Sequence, residues 1–199
     1  MKSLTVYCGS STSLASVFHD AAISVGEHIA NNQLSLVYGG GSIGLMGTVA
    51  RTASKNGAHV HGVITEKFVE LEQANNDCDK LIIVKTMQER RSMMIQHGDA
   101  FLMLPGGIGT YEEFFEVLVG RQIHDHTKPI GILNIEGYFD PLISMLDHGI
   151  ERGFMRPALK MLMHVDHSVE GIFDYFLKQD VEQPAPEDIL PMHSSRDTR

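Results

Sequence analysis

Six short runs rich in apolar and β-branched residues recur along the chain: LTVYC (4–8), LSLVYG (34–39), AHVHGVI (58–64), KLIIV (80–84), AFLML (100–104) and PIGIL (129–133). Strands that are apolar throughout, rather than at every second residue, have both faces covered, which is the situation in a parallel sheet. Amphipathic helix patterns separate them near 14–31, 44–56, 87–97, 110–122 and 139–151, with a last pair near 156–162 and 168–179. This β-α order predicts an α/β fold built on a doubly wound, mostly parallel sheet. A chain of 199 residues suits one domain with a full core better than two. The domain is expected over 1–182. Residues 183–199 carry Pro184, Pro186 and Pro191 among Ser, Asp and Arg and read as a flexible tail that adds nothing to the core.

The same order says where a ligand would sit, because open parallel sheets bind at the carboxyl ends of their strands. Three turns of unusual chemistry follow strands directly: CGSS (8–11), GGGSIGLMG (39–47) and PGGIGTYEE (105–113). In parallel strands all three open on one edge. Glycines there let the backbone approach an anion, and the amides opening the next helix point at it. Gly9, Ser10, Gly40, Gly41, Gly106, Gly107, Ile108, Gly109 and Thr110 are the candidate contacts. GGGSIG (39–44) also fits the dinucleotide pattern G-x-G-x-x-G, with Glu66 near the place of a ribose-binding acid, but it follows the second strand where that pattern belongs to the first. Neither glycine turn ends in G-K-[ST], so a Walker loop is excluded.

Net charge narrows the partner. At −9 the chain lacks the Lys and Arg excess that nucleic-acid or anionic-membrane binding depends on, whereas a small anion needs only local donors. Two cysteines, Cys8 and Cys78, are too few for a disulfide framework or a zinc site. No run approaches the roughly 18 apolar residues of a membrane span, and the chain opens on a strand pattern, so a cytoplasmic location is expected. Eleven histidines include His59 with His61 and the cluster HDH at 124–126. They lack further ligands at zinc spacing, and neither a metal nor a cofactor is expected. The helix pattern TMQERRSMMIQHGDA (86–100) places Arg90 and Arg91 near its start, where a cation opposes the helix dipole and a bound anion or carboxylate would relieve it.

Taken together, PGGIGTYEE (105–113), MQERR (87–91), VYGGGSIGLMG (37–47), VYCGSS (6–11) and KPIGILNIEGYFDPLI (128–143) resemble, in the same order, segments of the LONELY GUY family. Its members are cytokinin riboside 5′-monophosphate phosphoribohydrolases, many once labelled lysine decarboxylases, and the likeness covers about residues 4 to 155. No Lys here stands in a setting resembling a pyridoxal phosphate Schiff base. The resemblance implies a modified Rossmann fold, a homodimer or larger assembly, and hydrolysis of a nucleoside 5′-monophosphate to free base and ribose 5-phosphate. It makes Arg90 and Glu113 the catalytic pair and Gly107, Ile108, Gly109 and Thr110 the 5′-phosphate loop. Arg91 stands where the family commonly has Lys, and Glu72 falls at a substrate-contacting glutamate. Val119, Gly120, Arg121 and Gln122 replace the T-W-A-Q of plant members, and ITEK (64–67) replaces I-P-K; these departures are expected to border the pocket.

Bottom-up, Glu113 is expected within the first turn of its helix, kept ionised by the dipole, with Glu116 on the same face and Glu112 pointing to solvent. Phe114, Phe115, Val117 and Leu118 suit either a buried core helix or a dimer face. The rival functions are a non-catalytic nucleotide or molybdenum-cofactor binding protein, which needs no carboxylate near C1′, and nicotinamide-dependent redox chemistry.

Overall fold

The computed structural model describes residues 1–71, 74–178 and 184–189. Seven strands form one sheet: β1 (Ser3–Tyr7), β2 (Ser35–Tyr38), β3 (Val60–Thr65), β4 (Lys80–Val84), β5 (Ala100–Met103), β6 (Ile130–Leu133) and β7 (His164–Asp166). Their spatial order is β4-β3-β2-β1-β5-β6-β7, and every strand pair is parallel. The doubly wound reading therefore holds. β7 was not foreseen, since HVD is too short to register as an apolar run.

The helices are α1 (Ser16–Asn31), α2 (Gly44–Lys55), α3 (Glu66–Glu70), α4 (Met87–His97), α5 (Ile108–Gln122), α6 (Asp140–Glu151), α7 (Val169–Leu177) and α8 (Pro186–Ile189). Residues Pro157–Leu162 form a 3-10 segment instead of the expected helix turn. Alternation along each strand sorts the core into two layers. Leu4, Val6, Leu36 and Leu102 face α1, α2 and α7, whereas Tyr7, Val37, Phe101 and Met103 face α4, α5 and α6. The five inner strands so covered have no wet face, which is why they read as continuous apolar runs, whereas the edge strand β4 leaves Lys80 and Ile83 exposed.

The expected tail and the expected pocket border at 119–122 are both corrected by the packing, which also decides between the two alternatives for Phe114, Val117 and Leu118. Ile189, at the end of α8, is buried in the second layer with Leu159 and Leu162, so part of 184–189 contributes to the core, while 183 and 190–199 of the expected tail lie outside the described residues. On α5, Phe114, Val117 and Leu118 are buried against the sheet, which removes them from any outer face. Val119 to Gln122 also lie away from the strand ends. Arg121 is fully buried beneath the 3-10 segment, where its Nη1 donates to the Leu162 carbonyl at 2.8 Å and to the Tyr175 hydroxyl at 3.5 Å.

Chain direction reverses its lateral course at β1. The chain winds outward through β2, β3 and β4, then crosses to the other side of β1 to lay down β5, β6 and β7. The crevice at such a switch point is where α/β sheets take ligands, and here it lies between the ends of β1 and β5, with Tyr7 beside Met103. Arg121→Ala strips the Leu162 carbonyl of a charged donor and leaves a cavity in the α5 packing. Urea denaturation is expected to show a loss of about 3 kcal/mol; a loss near zero would mean the buried guanidinium does not hold the 3-10 segment.

Candidate active site

Backbone built from the three turns surrounds the switch point. Gly9 links them: its N–H donates to the Pro105 carbonyl at 3.0 Å, and its own carbonyl accepts from Leu45 at 3.0 Å and Met46 at 3.4 Å. The amides of Leu45 and Met46 in the first turn of α2 are thereby occupied and are not offered to an anion. Gly44 shows why the turn is glycine-rich instead. It adopts φ +59, and a Cβ there would lie 2.4 Å from the Ser10 carbonyl carbon. The Gly40 carbonyl accepts from Asn75 N at 2.8 Å. Of the candidate residues in this turn, Gly41 lines the cleft described below and Gly40 does not.

The third turn is different. Gly107 caps α5, and the amides of Thr110 and Tyr111 return to its carbonyl at 3.0 and 3.3 Å. Ile108 and Gly109 open the helix, so their N–H groups have no acceptor within it. They face a cleft of about 330 Å³ whose lining includes Gly9, Ser10, Gly41, Gly107 and Thr110. Gly106 lies behind this loop and lines a second cavity. The opposite wall is apolar, formed by Met46, Ile64, Phe68 and Met87. Sequence reasoning missed that wall: α3, which carries Phe68, spans five residues and has no periodicity to detect.

Between the two walls lie Arg90 and Glu113. Arg90 comes from α4, whose N-terminus is fixed by a capping box. Thr86 Oγ1 accepts from Glu89 N at 3.1 Å, while the Glu89 carboxylate accepts from the amides of Lys85 and Thr86. These backbone donors hold the Glu89 carboxyl below its ordinary pKa. The T-x-x-E spacing is a capping signal that sequence reasoning passed over, and with it Glu89 leaves the apparent run of charges. The Arg90 guanidinium then reaches across the sheet edge: Nε donates to the Val63 carbonyl at 3.0 Å, Nη2 to the Gly39 carbonyl at 3.2 Å, and Nη1 lies 3.4 Å from Glu113 Oε1. Gly39 is the seat of this arrangement, because a Cβ at that position would stand 2.0 Å from Arg90 Nη2.

Both members of the pair are more than nine-tenths buried, Arg90 at 8% and Glu113 at 7% exposure. Glu113 is the sixth residue of α5, in its second turn, so the expectation of a first-turn carboxylate held ionised by the dipole is corrected. The dipole acts within about one turn, and burial wins: it pushes the Glu113 carboxyl up to about 7 despite the opposing pull of Arg90. Burial likewise raises the Cys8 thiol, which lines the same cleft, far from any thiolate range.

Other site candidates fall elsewhere. Arg91 does not reach the phosphate loop; it pairs with Glu112 at 2.8 Å and Glu116 at 2.7 Å on the outer side of α5. Glu112 is thus paired rather than simply solvated. Glu72 lies outside the described residues. His59 is mostly exposed beside Asp79, and His126 Nε2 bonds the Val117 carbonyl at 3.0 Å. Among the described residues no three His, Cys, Asp or Glu side chains converge on a common point.

A family model described as "Possible lysine decarboxylase" matches residues 46–176. A probable cytokinin riboside 5′-monophosphate phosphoribohydrolase of Arabidopsis thaliana is 38% identical over 183 residues, covering 92% of this chain and 90% of that protein. The chain belongs to the LONELY GUY family. A rice relative with the same printed function is 40% identical over 79% of the chain, which spans 65% of that longer protein. The molybdenum cofactor binding protein of Rippkaea orientalis superposes with a TM-score of 0.66 over 87% of this chain and 94% of its own, at 18% identity. A molybdenum cofactor carrier from Chlamydomonas reinhardtii gives 0.65 at 20% identity over 87% and 95%. At that identity the likeness is one of fold, and it supports the Rossmann-type architecture.

The raised Glu113 carboxyl has a consequence for stability. Its folded pKa of about 7 lies above the ordinary 4.5, so between those values the folded protein keeps a proton that the unfolded chain has lost. The stabilisation is complete below about 4.5 and is lost as pH rises through about 7. Thermal denaturation at about pH 5 and about pH 8 is expected to show a smaller fall for Glu113→Gln than for the unchanged protein. Equal falls would remove Glu113 from the pH dependence.

Proposed function

We propose that the protein hydrolyses the N-glycosidic bond of a nucleoside 5′-monophosphate, releasing the base and ribose 5-phosphate. The observation that carries this reading is the buried Arg90–Glu113 pair, which opens on the same cleft as the free amides of α5. Those amides, with Gly107 and Thr110, take the 5′-phosphate at a helix N-terminus. The apolar wall of Met46, Ile64, Phe68 and Met87 takes the base; the relatives' printed names make a cytokinin riboside 5′-monophosphate the substrate to test first, with AMP beside it.

Departure of the base leaves positive charge on C1′ and the ring oxygen, as in glycoside hydrolysis. The ionised Glu113 stabilises that cation and accepts a proton from the attacking water, whose oxygen bonds to C1′ as the C–N bond breaks. A carboxyl poised near 7 suits both tasks, since it is a stronger base than a solvated glutamate and still releases its proton near neutrality. Arg90 keeps its charge at working pH. Its place beside Glu113 favours the anionic form of that carboxylate and puts a cation where negative charge collects on the leaving base or phosphate. Loss of such a preorganised group typically costs a hundredfold or more.

Incubation with a panel of nucleoside monophosphates, with free base assayed by chromatography, tests the activity directly. Arg90→Ala and Glu113→Gln are each expected to lower base release from AMP by about a hundredfold or more, with circular dichroism unchanged. Full turnover in either variant would remove that residue from the mechanism.

The reading extends to assembly and location. Phe115 remains half-buried on the outer side of α5, and Val119 and Ile123 follow at helical spacing with about half their surface exposed. This stripe runs toward Ile108, 87% exposed at the cleft mouth, and it suits a homodimer whose contact borders the site. Light scattering is expected to give twice the chain mass, reverting toward one chain in Val119→Asp. The free thiols of Cys8 and Cys78 suit a reducing cytoplasm.

A further inference from the structure

The first peptide of the loop that receives the phosphate joins two glycines and carries no side chain of its own. Gly107 has open space around its Cα, whereas Gly106 packs closely on Thr110 and Gly9, and neither residue has a Cβ to restrict the dihedrals that set the plane between them. A hydrogen bond to the peptide itself fixes its orientation directly. Behind the loop, on the side of α1, a second cavity of about 330 Å³ is lined by Ser10, Leu14, Phe18, Gly106 and Tyr138. Across it the Tyr138 hydroxyl donates to the Gly106 carbonyl at 2.6 Å.

The peptide is trans, as are all described peptide bonds. In a trans peptide the C=O of one residue and the N–H of the next point in opposite directions. Gly107 borders both cavities; with the Gly106 carbonyl drawn back toward Tyr138, its N–H points the other way, to the side where Ile108 and Gly109 line the cleft. We propose that Tyr138 is a positioning residue: its hydrogen bond to the Gly106 carbonyl turns the Gly107 amide into the cleft as a third donor beside those of Ile108 and Gly109. The inference rests on the phosphate-binding reading above.

Tyr138 is itself well held. It follows the 3-10 turn Ile135–Gly137, in which Glu136 and Gly137 have φ +52 and +69. The buried Asn134 carboxamide ties the turn together, donating to Asp140 Oδ1 and accepting from Phe139 N, both at 2.7 Å. The Tyr138 ring packs edge-on against Phe139 at 5.0 Å and Phe18 at 6.1 Å between centroids. Its hydroxyl also neighbours Tyr111, whose phenol is raised by burial first and by Tyr138 second. The hydroxyl is thus presented to the loop from a braced frame, by a residue that lines the rear cavity and not the substrate cleft.

Tyr138→Phe removes the hydroxyl and keeps both ring contacts. Base release from AMP and titration calorimetry with ribose 5-phosphate provide the test. The KM for AMP and the Kd for ribose 5-phosphate are expected to rise about five- to tenfold, while kcat stays within about twofold and the pH profile keeps its shape. Unchanged KM and Kd would overturn the proposal, as would a fall in kcat at constant KM. A second measurement needs no variant: in the unchanged protein, the Gly107 amide proton should move downfield with those of Ile108 and Gly109 when ribose 5-phosphate is added. A Gly107 signal that stays still while the other two move would also overturn it. If the unchanged protein neither releases base nor binds ribose 5-phosphate, the phosphate-site reading falls and the Tyr138 role falls with it. If it does both and Tyr138→Phe is indistinguishable from it, the Tyr138 role alone is lost.

Discussion

The Arg90 guanidinium is held at three points, and much of the site is arranged around that demand. A buried cation has to be hydrogen-bonded and paired to be tolerated. Two of its contacts are main-chain carbonyls at the ends of neighbouring strands, Gly39 after β2 and Val63 in β3, and the third is Glu113 from α5. The carbonyls can converge because β2 and β3 are parallel and in register. The close approach at Gly39 excludes even a methyl group. A charged pair of this kind is a poor device for stability, since desolvation of both partners offsets most of their attraction. Its presence where the sheet opens to solvent is better understood as chemistry retained at some cost to the fold.

The two glycine-rich turns look alike in sequence and serve different ends. In the turn at 39–47, glycines allow main chain to pack on main chain and α2 to be capped by the Gly9 carbonyl. In the turn at 105–110, the helix end stays open to the cleft. What separates them is whether a carbonyl from elsewhere reaches the amides. That is a property of how the loops meet, and G-x-G spacing does not encode it.

Much of this was legible beforehand because it depends on local rules. Continuous apolar runs such as AFLML and PIGIL identified parallel strands covered on both faces, and the order of elements located the binding edge before any distance was known. The opposition of Arg90 and Glu113 followed from the family motifs. What could not be read depended on tertiary reach. Arg91 adjoins Arg90, yet one residue turns a helix side chain by about 100°, enough to commit it to Glu112 and Glu116. Glu113 looked like a dipole-stabilised carboxylate because the helix start was placed by pattern, whereas burial set its protonation. Arg121 was expected to border the pocket and is instead a fully buried brace under the 3-10 segment. Ile189 lies beyond the last periodic segment and still packs in the core.

Gly9 couples the two loops through opposite sides of one residue, its N–H fastened to Pro105 and its carbonyl to the start of α2. A displacement at either turn is therefore transmitted to the other through main chain alone, with no side chain to absorb it by changing rotamer. The seat for an anion behaves as a fixed jaw rather than a closing flap. Because folding has already ordered that jaw, little of the free energy of gripping a ligand at one end is consumed in shaping the grip. The remainder is available to bend or polarise the bond at the ligand's other end.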